Sequence, residues 1–289
     1  MCRLSPSSSK KPALSKTDFT LPGTIWVASD IHLARQVPQT CRVFYAFLAE
    51  AAVHADALIL AGDIFDAWIG DDAAVHEPEP WLREALEHLS ETAKKIPLFI
   101  GHGNRDFLMG PALARRLGAT LMPESALFQT DVGPIHISHG DELCTHDVPF
   151  QRFRKFSRHR LTRQLFLALP LRVRQMIARR ARKTSMHSHG TKPMYLMDVA
   201  HTSVSEVFRT HPALIHLVHG HTHKPKCHRF EDHGAQRCRW VLPDWEWDHP
   251  PFRGGYLSIG AAGITMHRYT APDSMSAPKP SFAGKTGCH

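Results

Sequence analysis

Five short, largely apolar runs in this chain each stop at a group of aspartate, histidine or asparagine, four of them beside glycine, and few folds accommodate that pattern. Residues 25–28 lead to Asp30 and His32, and residues 57–61 lead to Gly62 and Asp63. Residues 97–100 run into Gly101-His102-Gly103-Asn104-Arg105-Asp106, and residues 135–138 into His139-Gly140-Asp141. The fifth run, 213–218, ends in His219-Gly220-His221-Thr222-His223. Side chains two apart in an extended segment leave the same side, so His221 and His223 can face one pocket. In α/β sheets, ligands collect beyond the carboxyl ends of the strands. Five such ends therefore describe one site.

The candidate residues spread from Asp30 to His223, so no cut between them leaves a complete site. We expect one catalytic domain over 22–270 with an insertion at 148–197. A Ser-, Lys- and Pro-rich lead (1–21) and a tail (271–289) both read as disordered. Strand, helix, strand, helix and then consecutive strands predict an α/β fold with a mixed sheet and helices outside it. Helices are expected near 40–54, 79–93 and 112–117, and a hairpin around Gly133-Pro134. Hydrophobic residues make up 43% of the chain, enough for a real core, yet no apolar run approaches the ~20 residues of a membrane span. The lead lacks the apolar region of a secretory signal. Six cysteines form no C-x-x-C pair, which suits a reducing cytoplasm, and Cys227-His228 with Cys238 fits no common zinc spacing.

Asp30, His32, Asp63, Asn104, His139, His221 and His223 offer oxygen and imidazole donors and no thiolate. That set suits Mn²⁺, Fe²⁺, Zn²⁺ or Co²⁺. Seven donors exceed one ion and match two if a carboxylate bridges. Two such cations ~3.5–4 Å apart would activate water and stabilise both oxygens of a displacement at phosphorus. The plainer alternative is that each aspartate caps the turn after its strand.

The series D-x-H, G-D, G-N-R-D, H-G and G-H-x-H, in this order, resembles the calcineurin-like metallophosphoesterases. That resemblance implies a two-sheet β-sandwich flanked by helices. It places Asp30, His32 and His223 on one ion, Asn104, His139 and His221 on the other, and Asp63 between them. Residues 67–72, 103–108, 139–145 and 197–199 look closer still to the UDP-2,3-diacylglucosamine diphosphatases of lipid A biosynthesis. The likeness runs from about residue 25 to residue 260. It implies hydrolysis of the substrate's pyrophosphate with two Mn²⁺ ions, by attack of metal-bound hydroxide, giving UMP and 2,3-diacylglucosamine 1-phosphate (lipid X). Asp63, Arg105 and His139 are the expected catalytic residues. Arg105 stands where many relatives carry histidine, and its planar, always-charged fork suits phosphoryl oxygens. Asn104, Arg105, Asp147, Ser185, His189, Lys192 and His221 are the expected substrate contacts, with His189 and Pro193 departing from the family pattern. Asp106 and Asp141 read either as groups that orient ligands or as turn caps.

Residues 151–183 hold twelve Lys or Arg and no Asp or Glu, so the rest of this +8 chain nets −4. Apolar residues are interleaved at near-helical spacing. A basic amphipathic cap that rests on anionic lipid and covers acyl chains fits this stretch. A solvated helix pair, a nucleic-acid patch and a protein-partner surface are the other readings. The resemblance favours the lipid one and implies a peripheral enzyme on the cytoplasmic face of the inner membrane; it argues against nucleic acid as a partner and implies no protein partner. A different dinuclear phosphodiesterase, acting on nucleotides or nucleic acid, and a non-catalytic scaffold are the competing functions.

Overall fold

The structure, a computed structural model, describes residues 18–75, 78–189, 198–232 and 234–271; the side chains of 75 and 183–189 lie outside it. Two six-stranded sheets face each other. With strands numbered along the chain, the first sheet runs β1 (Phe19–Thr20), β6 (Ser125–Thr130), β7 (Gly133–Ser138), β8 (His216–His219), β10 (Ala235–Val241), β9 (Lys226–Asp232). The second runs β12 (Gly263–Arg268), β11 (Gly255–Gly260), β2 (Ile25–Ala28), β3 (Ala57–Leu60), β4 (Leu98–Ile100), β5 (Thr120–Leu121). Strands β2 to β5 are mutually parallel, as are β7, β8 and β10, so their carboxyl ends gather at one edge of the sandwich.

Alternation explains why the apolar runs are unbroken. Ile25, Val27, Ile59 and Phe99 point between the sheets, against Ile135, Ile137 and Val218. Their neighbours Trp26, Leu58, Leu60 and Ile100 point the other way, into a core shared with helices. A strand buried on both faces needs an apolar residue at every position. Each fully buried Leu or Ile contributes about 1.5–3 kcal/mol by leaving water. The outer layer is α1 (Pro38–His54), α3 (Pro80–Lys95) and α4 (Pro111–Leu117), with one short turn, α2 (Asp72–Val75), before α3. The stripe Val43, Phe44, Phe47, Leu48 and Ala51 on α1 is wholly buried. Proline opens all three long helices, where its missing N–H costs nothing, so they begin a residue or two earlier or later than their apolar stripes suggest. On the other side, α8 (His201–Thr210) buries Val204 and Phe208 against Leu127 and Leu217.

Residues 18–21, within the expected lead, belong to the fold. β1 pairs in parallel with β6, and Leu21 is buried. A two-residue strand has too little periodicity to be read from sequence. The expected cap contains α5 (Val148–Arg158), α6 (Arg160–Leu167) and α7 (Leu171–His189), and neither α5 nor α6 buries a side chain.

Candidate active site

All seven expected donors meet at the edge where the strands of both sheets end. Asp30 Oδ1 lies 3.2 Å from His223 Nε2, and Asp30 Oδ2 accepts from Ser29 Oγ at 2.6 Å and from the His221 backbone N–H at 3.0 Å. Asp63 Oδ2 lies 3.7 Å from His139 Nε2 and 3.8 Å from His32 Nδ1. Asn104 Oδ1 sits between His139 Nε2 at 3.1 Å and His221 Nδ1 at 2.9 Å. The Nδ1–H of His139 donates to the Ala61 carbonyl oxygen at 3.3 Å, across the two sheets, which aims Nε2 into the cluster.

Backbone geometry marks the same residues. Among the described residues, the non-glycine positions with left-handed φ are Asp30, His32, Asp63, His221 and His223. Each costs on the order of 1–3 kcal/mol, and such strain concentrates at functional sites. Close packing holds these turns in place. A Cβ on Gly220 would stand 2.1 Å from Asp30 Oδ2, and one on Gly103 would stand 2.0 Å from Asp63 Oδ1. Asp106 settles between its two readings by doing both jobs. Its carboxylate accepts from the backbone N–H groups of Asp63, Ile64, Phe65 and Gly103, tying the Asp63 turn to the Asn104 turn.

The electrostatics favour cations. Both ring nitrogens of His32 are buried without a hydrogen-bond partner. Burial, helped by Arg105, keeps that imidazole well below its ordinary pKa, so it is neutral with one nitrogen lone pair to offer. Burial likewise pushes His221 down to about 3. Burial raises the Asp63 carboxyl against the pull of His139 and Arg105. At Asp30 burial is outweighed by His139, His223 and His32, which hold it well below the usual carboxylate range. His139 rises to about 9: burial opposes its charge, but Asp63 and Asp30 outweigh burial. Among the described residues, two groups bring ligand atoms within 4.8 Å of one another: Asp30, His32 and His223, and Asp30, Asp63 and His139. Buried lone pairs beside carboxylates and an amide oxygen, with no thiolate, fit divalent cations of the Mn²⁺, Fe²⁺ or Zn²⁺ kind.

The sequence of the calcineurin-like phosphoesterase family matches residues 23–225 of this chain. The chain belongs to that family. This phosphoesterase is 46% identical over 247 residues to the UDP-2,3-diacylglucosamine hydrolase of Bordetella parapertussis, covering 85% of the one and 95% of the other. It is 40% identical over 218 residues to the protein of that name from Aeromonas hydrophila, covering 75% of this chain and 88% of the relative. Its resemblance to that branch, legible in residues 67–72 and 103–108, thus extends over most of the chain.

The remaining expected residues of the phosphoesterase divide. Arg105 lies at the cluster's edge, with Nε 3.5 Å from Asp63 Oδ2 and Nη1 2.6 Å from Asp66 Oδ1. Asp147 is buried at the N-cap of α5, where its carboxylate accepts from the Phe150 N–H at 3.1 Å. Phe150 in turn stacks on His221, ring centroids 5.9 Å apart. Asp141 is bound by Arg154 at 2.8 Å and Arg158 at 3.0 Å, and Arg158 also donates to the Gly103 carbonyl at 2.9 Å. Charge on those arginines, against the cost of burial, holds Asp141 down at about 2. Lys192 and Pro193, and the side chains of Ser185 and His189, lie outside the described residues.

Sequence reasoning missed Asp66 and Asp244. Asp244 Oδ2 lies 3.4 Å from His223 Nδ1, the face turned away from Asp30, and Arg253 grips that oxygen from Nε and Nη2 at 2.8 and 2.7 Å. The signal was available. Residues 240–242 are apolar and the aspartate follows two positions later, as at Asp30.

Proposed function

We propose that this enzyme hydrolyses the pyrophosphate bond of UDP-2,3-diacylglucosamine to UMP and 2,3-diacylglucosamine 1-phosphate, using two Mn²⁺ ions. The observation that carries the reading is the likeness, over nearly their full length, to hydrolases named for that substrate. The donor set supports two cations: Asp30, His32 and His223 for one, Asn104, His139 and His221 for the other, Asp63 for both. When bound, such cations supply Lewis-acid activation of water and neutralise charge on phosphoryl oxygens. Asp66 steadies the Arg105 guanidinium beside Asp63, where its fork can bind a phosphoryl oxygen and carry charge that develops there. Asp147, Ser185, His189 and Lys192 are proposed contacts to the sugar-lipid half.

Helices α5 to α7 suit the lipid. Among the described residues, nine of the twelve large apolar side chains that stand exposed lie between Val148 and Ile177, interleaved with the arginines. Isolated exposed leucines are ordinary, but a cluster of this size marks a binding surface. Basic helices with such a face rest on anionic lipid headgroups. No helix among the described residues is long and apolar enough to cross a membrane, and peripheral attachment at the cytoplasmic face is the proposed location.

Competing hydrolysis rates test the substrate. Mn²⁺-loaded protein is expected to cleave UDP-2,3-diacylglucosamine at least a hundredfold faster than a water-soluble phosphodiester such as bis-(p-nitrophenyl) phosphate, since remote binding energy is spent on the reacting centre. Equal rates would make it a general phosphodiesterase.

A further inference from the structure

A cleft of about 190 Å³ opens from the His32 and His223 side of the donor cluster. Gln36, Asp66, Glu246 and Arg253 line its walls, and ten of its thirteen lining residues are polar or charged. Its contribution from the helical cap is also charged: Arg182, which reaches Asp66. The cleft thus contrasts with the apolar surface of α5 to α7, whose Phe150 covers His221, a donor that does not line the cleft. A pyrophosphate held at the donors extends in two directions, and only one suits acyl chains. An acyl chain gains nothing among carboxylates, because burying them without partners costs several kcal/mol. A nucleoside is different: it is uncharged and rich in hydrogen-bonding groups.

We propose that this cleft receives the nucleoside half of the substrate, with Glu246 accepting from the ribose hydroxyls and the Gln36 amide facing the base. This rests on the function proposed above and assigns the other end of that substrate. A carboxylate is the usual acceptor for a ribose diol. Glu246 Oε1 already accepts from the Asp248 and His249 N–H groups at 2.8 and 2.9 Å, so the side chain is fixed in direction before a ligand arrives. Gln36 is exposed and reaches Asp66 Oδ2 at only 3.4 Å, a weak contact that a ligand can replace. Its amide can both donate to and accept from a pyrimidine imide edge.

Direct binding tests the assignment without turnover. Calorimetric titration of the full-length, Mn²⁺-loaded protein would use two probes, UMP and 2,3-diacylglucosamine 1-phosphate. Gln36→Ala and Glu246→Gln are each expected to weaken UMP about fivefold or more, the worth of a lost hydrogen bond, and to leave the lipid monophosphate within about twofold. Glu246→Gln should also shrink the preference for UMP over 2′-deoxy-UMP. Unchanged UMP binding in both variants, or equal weakening of both probes, would overturn the assignment. Protein that binds UMP in this way yet leaves the UDP-lipid intact would instead refute the function and keep the cleft. The glutamine at 246 preserves an acceptor for the Asp248 and His249 N–H groups, and circular dichroism verifies that each variant is folded.

Discussion

At the scale of single residues, the site is built by forcing side chains that prefer ordinary backbone into left-handed turns. Asp30, His32, Asp63, His221 and His223 pay that conformational cost together, and the glycines packed against them leave no alternative. Asp244 orients one of these from behind. With Arg253 clamped on its carboxylate, it faces His223 Nδ1 and so leaves Nε2 turned to Asp30. Asp244→Asn keeps the shape and removes the charge. It is expected to weaken Mn²⁺ binding about tenfold to a hundredfold, read by titration of metal-stripped protein, without altering the circular dichroism spectrum. Unchanged affinity would leave Asp244 as a mere anchor for Arg253. The seven donors were legible because each follows a largely apolar run, and Asp63, Asn104, His139 and His221 also sit beside glycine. Asp244 was not singled out, because Pro243 and the tryptophans around it disguise the strand end. Asp66 was hidden for another reason: its meaning lies in Arg105, thirty-nine positions away.

Secondary-structure elements carry the donors as rigid arms, and other elements hold the cap to them. Arg174 of α7 is buried, donating to the Ile69 carbonyl and to Asp72, while Asp71 accepts from Gly110 and Leu113 at the start of α4. Those contacts give the run Gly70-Asp71-Asp72 a physical role, one that sequence could flag as a motif but not explain. The break between α5 and α6 was likewise illegible, since charge and apolar spacing continue across His159 with little change, whereas Pro170 marks the break before α7. Packing of α8 on the first sheet adds a pH dependence. His136 of β7 is buried facing His211 at the end of α8, and burial, aided by His211, pushes it down to about 4 from 6.5. The unfolded chain then binds a proton that the folded one refuses. Stability from this residue is complete above pH 6.5 and is lost as pH falls from there to about 4. The gap corresponds to about 3 kcal/mol. Urea unfolding at pH 7.5 and 4.5 should show His136→Leu losing less stability on acidification than the natural protein by most of that amount. An identical loss in both would contradict the assignment.

Across the whole molecule, two chemistries flank one cluster of donors. The apolar, basic surface of α5 to α7 meets it at His221, where Phe150 stacks, and a polar cleft opens at His32 and His223, with Arg182 of α7 in its lining. The β-sandwich fixes the donors between them because parallel strands from both sheets end at a common edge. Strand order alone pointed to a mixed sheet with helices outside it, the two-sheet sandwich was implied by the family resemblance, and the division of the surface needed three dimensions. Local charge told part of the story, since the basic stretch at 151–183 stands out against an otherwise acidic chain. Phosphorus NMR of metal-stripped, full-length protein with UDP-2,3-diacylglucosamine, before and after Mn²⁺ is added, tests the central claim most directly. The account predicts that the pyrophosphate resonances persist without metal and give way to UMP and a sugar-lipid monophosphate once Mn²⁺ is present. Pyrophosphate resonances that remain unchanged with Mn²⁺ bound to folded protein would contradict it.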